Sequence, residues 1–485
     1  AGDDLCYNST KGSIERPEEV GVTQSVLPPG MAGLRSHLGT IVSGMEGTVP
    51  YAAALLSERG GLTIRVDSRE ERIEELPRTA GTVLTAYDGR TLHEAAAGDF
   101  DLSPVERAAA DLVRPLSRTA GRDIDPGAER RGDFITPMEI PPASLSTEEK
   151  LDRCRDIQAR LRKVDPRVIN AVVNYRELTE LSAFANRTAD LAQQVQRIAM
   201  SLTAFVEGPD GVRYNYGLYG GTGGWELLDI SDEDLAHLVG VAIELLGAQR
   251  IEPGEYTIVA APWVTGTLVH ESFGHGVETD MFLKERARAS QHIGKQIGSP
   301  LVNIWDDPSY PGGFGSYFFD DEGMLAGPTQ IVEDGVFHRG ITDLYSATAL
   351  GIPRTANGRR QDYTRKAYAR MSNTAFARGT TPVSELFSQV EDGIYLEMWY
   401  SGMEDPKGWG IQVTCHYGHE IKHGRVTEKI YAPVGITGYV PDVLASVRGV
   451  GDEWGLDTGS CGKGHKEWVR VSAGGPHLLM KARLG

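Results

Sequence analysis

Cysteine is scarce. The chain has four, Cys6, Cys154, Cys415 and Cys461, among 485 residues. No two form a C-x-x-C pair, so a disulfide framework is excluded as the source of stability, and a reducing, cytoplasmic compartment is expected. Long apolar runs are missing as well. No stretch approaches the roughly 18 apolar residues of a spanning helix, so no membrane partner is expected. No basic segment followed by an apolar one marks a secretory signal. Positive charge is in deficit, with 49 Lys and Arg against 67 Asp and Glu and a net charge of −18. Such a surface repels phosphate backbones, which excludes nucleic acid as the main partner. What remains is a globular chain: 40% hydrophobic residues is too many for disorder, and the length accommodates two or three cores.

Periodicity divides the chain into an extension at 1–30, an α+β domain at 31–225 and a β-rich domain at 226–485. The extension is polar and aperiodic, with Pro17, Pro28 and Pro29. Leu34, Leu38, Ile41, Val42 and Met45 recur at helical spacing, so a helix is expected from Met31 to about Leu56. Strands are expected around 62–66, 82–86 and 91–95, separated by turns at Gly60-Gly61 and Asp88-Gly89. Ser103 and Ser146 each stand three residues before a Glu, the mark of a capping box. Strand-like runs occupy 168–206, another helix runs from Ser231 to about Gln249, and Tyr256–Ala260 reads as a short buried strand. Beyond residue 300 the pattern is strand and turn. The fold class is therefore α+β: a mixed helix and antiparallel-sheet half, then a β-rich half carrying one functional helix.

The segment Val264-Thr-Gly-Thr-Leu-Val-His270-Glu271-Ser-Phe-Gly-His275-Gly-Val-Glu278 holds His-Glu-x-x-x-His. Two neutral imidazoles bind a metal, and the neighbouring Glu takes a proton from water. The familiar spacing puts the histidines four apart on one helix face. Here they are five apart, which is about 140° around a regular helix. They converge only if the helix widens or ends between them, and Gly274 and Gly276 make an ending easy. A third ligand must come from elsewhere. The candidates are His416, His419 and His423, together with His465, Cys415 and Cys461. Cys461 lies in a glycine-dense stretch, Thr458-Gly-Ser-Cys461-Gly-Lys-Gly464. The three clustered histidines sit in what reads as strand, turn and strand. Cys154 reads as a core residue and Cys6 as inert.

His270-Glu-Ser-Phe-Gly-His-Gly-Val-Glu-Thr-Asp280 resembles the signature of the TldD/PmbA family of metallopeptidases, in its TldD-like, metal-bearing branch. The resemblance continues through Phe319-Asp-Asp-Glu-Gly323, Ile331-Val-Glu-Asp-Gly335, Thr355-Ala-Asn-Gly-Arg359-Arg360 and Arg370-Met-Ser-Asn-Thr374. Near the end, Ser460-Cys461-Gly462-Lys463 matches the position of the family's cysteine ligand. The likeness covers roughly 230–485 and, more loosely, 31–225.

The resemblance implies a zinc ion (Zn2+) held by His270, His275 and Cys461, with Glu271 as general base. It also implies a subunit that forms a homodimer, or a heterodimer with a paralogue lacking the metal motif. The substrate would be a peptide or peptide-like molecule held extended in an enclosed cavity. A thiolate ligand argues for zinc over magnesium or calcium. Arg359, Arg360, His416 and His465 are weaker candidates for substrate contact, and ion pairing with the acidic surplus is the plainer role for the two arginines. Asp320-Asp321-Glu322 reads as a structural turn, and Gly358 and Gly402 as turn glycines. The segment 401–409, Cys415-His416 and His419 depart from the family pattern where it meets the substrate. The function expected is amide hydrolysis of small or unfolded peptides. The alternative is non-proteolytic chemistry on a peptide-like biosynthetic intermediate. A non-catalytic binding role is disfavoured because the complete motif is present.

Overall fold

The computed structural model describes residues 26–464 and 466–485. The fold is α+β, with strands from residues 51–222 in one seven-stranded sheet and strands from residues 254–484 in a second sheet of twelve. In the first sheet the long strands Tyr51–Val66, Val168–Ala185 and Ala189–Gly208 lie side by side, antiparallel. Only the short strand Arg130–Ile135 runs parallel to its neighbour. Helices Pro29–Glu46 and Leu102–Val113 cover one part of this sheet, and Thr147–Lys163 and Asp232–Glu244 cover another.

The helix expected over 31–56 stops at Glu46, and a strand begins at Tyr51. The reason is burial on both faces. Tyr51-Ala-Ala-Ala-Leu-Leu56 is buried throughout, so it lacks the alternation that marks a half-exposed strand. That strand also passes through Gly60-Gly61 without turning; the glycines mark a register shift between Arg59 and Gly61. Ser103 is not a cap: the helix starts at Leu102 after Asp101, with no side-chain cap bond. Ser146 and Ser231 do form capping boxes, with Glu149 and Asp234. The latter helix ends at Glu244, followed by a 3-10 turn over Leu245–Gly247. Val26 and Leu27, read as part of the extension, are buried against helix Pro29–Glu46. Pro29 and Gly30 open that helix, and residues 1–25, including Cys6 and Pro17, lie outside the described residues.

The second sheet positions the site. Its long strand Lys466–Leu484 pairs with Gly254–Ala260, Asn373–Phe376, Gly449–Leu456 and Gly459–Lys463. Helix Pro262–Phe273 follows directly from Gly254–Ala260. Its buried residues lie on every face, Val264 through Val269 in unbroken succession, so it is a core helix rather than an amphipathic one. Leu268, Val269 and Phe273 join Leu478 and Met480 of the long strand in one apolar cluster.

Candidate metal centre

Helix Pro262–Phe273 ends between the two histidines. His270 closes its last turn, and His275 opens a 3-10 turn over His275–Val277. Gly274 makes the break. A Cβ there would fall 2.0 Å from Met371 Sδ and 2.4 Å from the His270 carbonyl oxygen, so no larger residue fits. The change of path brings the rings together, their centroids 5.0 Å apart and their planes at 86°.

Cys461 arrives from the hairpin formed by Gly459–Lys463 and Lys466–Leu484. Its sulfur lies 2.9 Å from His275 Nε2. The candidate ligand atoms of His270, His275 and Cys461 all lie within 4.8 Å of one another. Burial alone would raise the Cys461 thiol, but the His270 and His275 rings outweigh it and bring it down to about 5. The sulfur is therefore a thiolate at neutral pH. His270 Nδ1 is sealed from solvent and, among the described residues, has no hydrogen-bond partner. Two imidazoles, a thiolate and an unsatisfied buried nitrogen are a donor set that fits zinc.

A charged frame surrounds these three residues. Arg370, fully buried, donates from Nη2 to the Cys461 carbonyl at 3.0 Å and to its sulfur at 3.1 Å. Its Nε donates to Glu278 at 3.1 Å. Glu278 faces His275 Nδ1 at 3.5 Å and accepts from Lys463 at 2.7 Å. Burial would raise the Glu278 carboxyl, but Lys463, His275 and Arg370 hold it far below the usual range. An ionised Glu278 fixes the orientation of the His275 ring. Glu278 and Lys463 carry local signals, three residues beyond His275 and two beyond Cys461.

Glu271 points toward strand Asp392–Asp405. A Cβ on Gly402 would fall 2.6 Å from Glu271 Cγ and 2.7 Å from Oε1. Gly402 is thus a strand residue that leaves room for a carboxylate, not a turn glycine. Gly358 plays a similar part in strand Gly358–Arg359, where a Cβ would meet Glu322 Oε2 at 2.0 Å. Glu404, two residues beyond Gly402, lies near enough to Glu271 for the two carboxyls to interact. Burial and the Glu271 charge push the Glu404 carboxyl up, against the pull of His275. A Gly402→Ala substitution should keep the metal and displace the Glu271 carboxylate. We expect kcat to fall on the order of 100-fold, the cost of a misplacement near 1 Å. Unchanged kcat in a peptide-cleavage assay would refute this placement of Glu271.

The other candidates lie apart. His416 bonds the Tyr214 carbonyl at 3.0 Å and packs against Tyr214 and Tyr216, and burial lowers its pKa. His419 is clasped by Glu244 and Glu397, while exposed His423 pairs with Glu391. These histidines do not converge, and among the described residues only the His270, His275 and Cys461 group has the proximity of a metal site. Cys154 and Cys415 are core residues. Arg359 bonds the Met371 carbonyl and lies over the Tyr317 ring at 4.9 Å. Arg360 pairs with Glu94 at 2.9 Å. Asp320 closes a turn by accepting the Glu322 and Met324 amides. His465 lies outside the described residues.

His419 gives a pH signature. Burial would lower its pKa, but its two carboxylate partners raise it to about 9. Unfolded, it titrates near about 6.5. Its stabilisation is complete below that value and is lost as pH rises through about 9. The melting temperature of the wild type should therefore fall more steeply between about pH 7 and pH 9.5 than that of His419→Gln. Parallel melting curves would remove this role.

Comparison with known proteins agrees with the motif reading. The PmbA/TldA metallopeptidase C-terminal domain matches residues 253–483, and the central domain of the same family matches residues 140–249. A metalloprotease of Methanothermobacter thermautotrophicus is 32% identical over 452 residues, 92% of this chain and 97% of that protein. The chain belongs to the PmbA/TldD metallopeptidase family. A zinc metalloprotease TldD homologue of Saccharolobus solfataricus is 31% identical over 258 residues, covering 53% of this chain and 57% of that one. A solved structure from Thermotoga maritima, described as a candidate modulator of a DNA gyrase, shares the fold. It has a TM-score of 0.75 at 17% identity, over 94% of this chain and all of that one. Among the described residues of this PmbA/TldD chain, no helix is long and apolar enough to cross a membrane.

Proposed function

We propose that the chain is a zinc-dependent peptidase that hydrolyses amide bonds of small or unfolded peptides. His270, His275 and Cys461 hold the metal, and Glu271 is the general base. The observation that carries this reading is the meeting of three ligand atoms within 4.8 Å around a helix break. Bound zinc supplies Lewis acidity toward water and the substrate carbonyl. Glu271 accepts a proton as the water oxygen bonds to the amide carbon. It passes that proton to the nitrogen as the carbon–nitrogen bond breaks. Glu404 steadies the Glu271 carboxylate from the neighbouring strand. Arg370 holds the thiolate and Glu278 the His275 ring, which keeps both in the orientation metal binding needs.

The peptide lies extended in an enclosed cavity. The subunit has two domains, one built on each sheet. It pairs as a homodimer, or as a heterodimer with a paralogue lacking the metal motif, in the cytoplasm. A panel of unstructured peptides, incubated with and without a chelator, tests the activity. Cleavage that the chelator abolishes and zinc restores supports it. Stoichiometric zinc with no cleavage of any peptide overturns the peptidase reading in favour of chemistry on another amide.

A further inference from the structure

A cavity with room for about 70 Å³ of solvent lies between the first sheet and the hairpin that carries Cys461. Five arginines line it: Arg59, Arg197, Arg359, Arg360 and Arg470. They come from separate places. Arg59 and Arg197 sit on strands Tyr51–Val66 and Ala189–Gly208, and Arg470 sits on Lys466–Leu484. Three carboxylates share the lining: Glu180, Asp320 and Asp321. Two of them are committed to backbone amides. Asp320 accepts from Glu322, Met324 and Gly358, and Asp321 accepts from Arg360. Glu180 is paired with Arg197 and lies 4.0 Å from Arg59, and Asp321 also feels the charges of Arg360, Arg359 and Arg59. Cations therefore outnumber anions inside a protein whose net charge is −18.

Arg197 and Arg470 register this imbalance. Burial, with the charges of Arg359, Arg470 and Arg59, outweighs Glu180 and brings Arg197 down to about 10. Arg470 is lowered by burial and by Arg176, Arg59 and Arg359. Donors also remain available. Arg59 makes no side-chain hydrogen bond among the described residues, and Arg360, almost wholly buried, leaves Nε without a partner. Planar guanidinium groups in this number match an oxyanion. The volume suits a small one with its waters, not a peptide.

This cavity is distinct from the metal centre. Ser460 stands opposite Arg470, and Cys461 stands opposite Val469. Adjacent residues of a strand face opposite ways, so Arg470 and Cys461 project from opposite faces of the hairpin. We propose that the cavity binds a small dianionic oxyanion, phosphate-like in size and charge, held by Arg59, Arg360 and Arg470.

The test uses the full chain, titrated with sodium phosphate or sodium succinate against sodium chloride at matched ionic strength. Binding is read by calorimetry and by thermal melting. The expected result is a saturable rise in melting temperature beyond the chloride control. Arg470→Gln and Arg59→Gln should each weaken binding by about tenfold or more, since each removes a charged hydrogen-bond donor. A response to phosphate alone identifies a tetrahedral ligand; a response to succinate identifies a dicarboxylate. No response to either, or variants that respond like the wild type, overturns the proposal. If Arg470→Gln fails to fold, Arg59→Gln decides, because Arg59 is only partly buried. Neither readout depends on bound zinc or on hydrolysis.

Discussion

Glu271→Gln should retain its zinc and lose roughly two to four orders of magnitude in kcat, the range general acid–base catalysis contributes. Glutamine keeps the size of the side chain, so it still fits over Gly402 and still meets Glu404. It cannot accept a proton from water. Zinc content should be unchanged, because Glu271 is outside the group of converging ligand atoms. Metal analysis and peptide turnover on one preparation make the test. Turnover within tenfold of wild type would remove Glu271 as the base. Loss of zinc would instead give it a part in holding the metal.

Cys461→Ser should cost the protein its metal. Serine offers a neutral hydroxyl in place of a thiolate, and two imidazoles alone hold zinc weakly. The loss of affinity should exceed the roughly 10–100-fold that follows removal of an outer partner. Arg370 would also lose an anionic neighbour while remaining buried, so stability should fall as well. Dialysis against a competing chelator followed by zinc analysis measures the first effect. Full occupancy after dialysis would move the third ligand to another residue.

The histidine pair was legible because its signal is local. Five-residue spacing demanded an interrupted helix, and Gly274 sits where the interruption falls. The partner across the fold was not legible from spacing. His416, His419 and His423 are closer to His270 in sequence than Cys461 is, and they form a denser cluster. They are set apart by carboxylates and carbonyls that strand pairing brings in from elsewhere. Glu404 was hidden for the same reason. Its meeting with Glu271 depends on how strand Asp392–Asp405 crosses the helix, and no motif records that crossing. The arginine cavity draws its charged groups from five strands and two loops, so no local pattern records it. In the fold, the α+β class, the capping box at Ser146 and the helix start at Ser231 were visible in local pattern, whereas Ser103 does not cap its helix. Tyr51–Leu56 carries no strand signal, because a strand buried on both faces has no period of two.

His275 and Cys461 are 186 residues apart in the chain. Strand Lys466–Leu484, which completes the Cys461 hairpin, also fills a central place in the second sheet. During synthesis, then, the histidines leave the ribosome long before anything exists to finish their site. The sheet and the metal centre reach completion at the same stage. On the proposed ligand set, any nascent or clipped chain lacking residues 459–484 has no complete metal site, and so no cutting activity to direct at its neighbours.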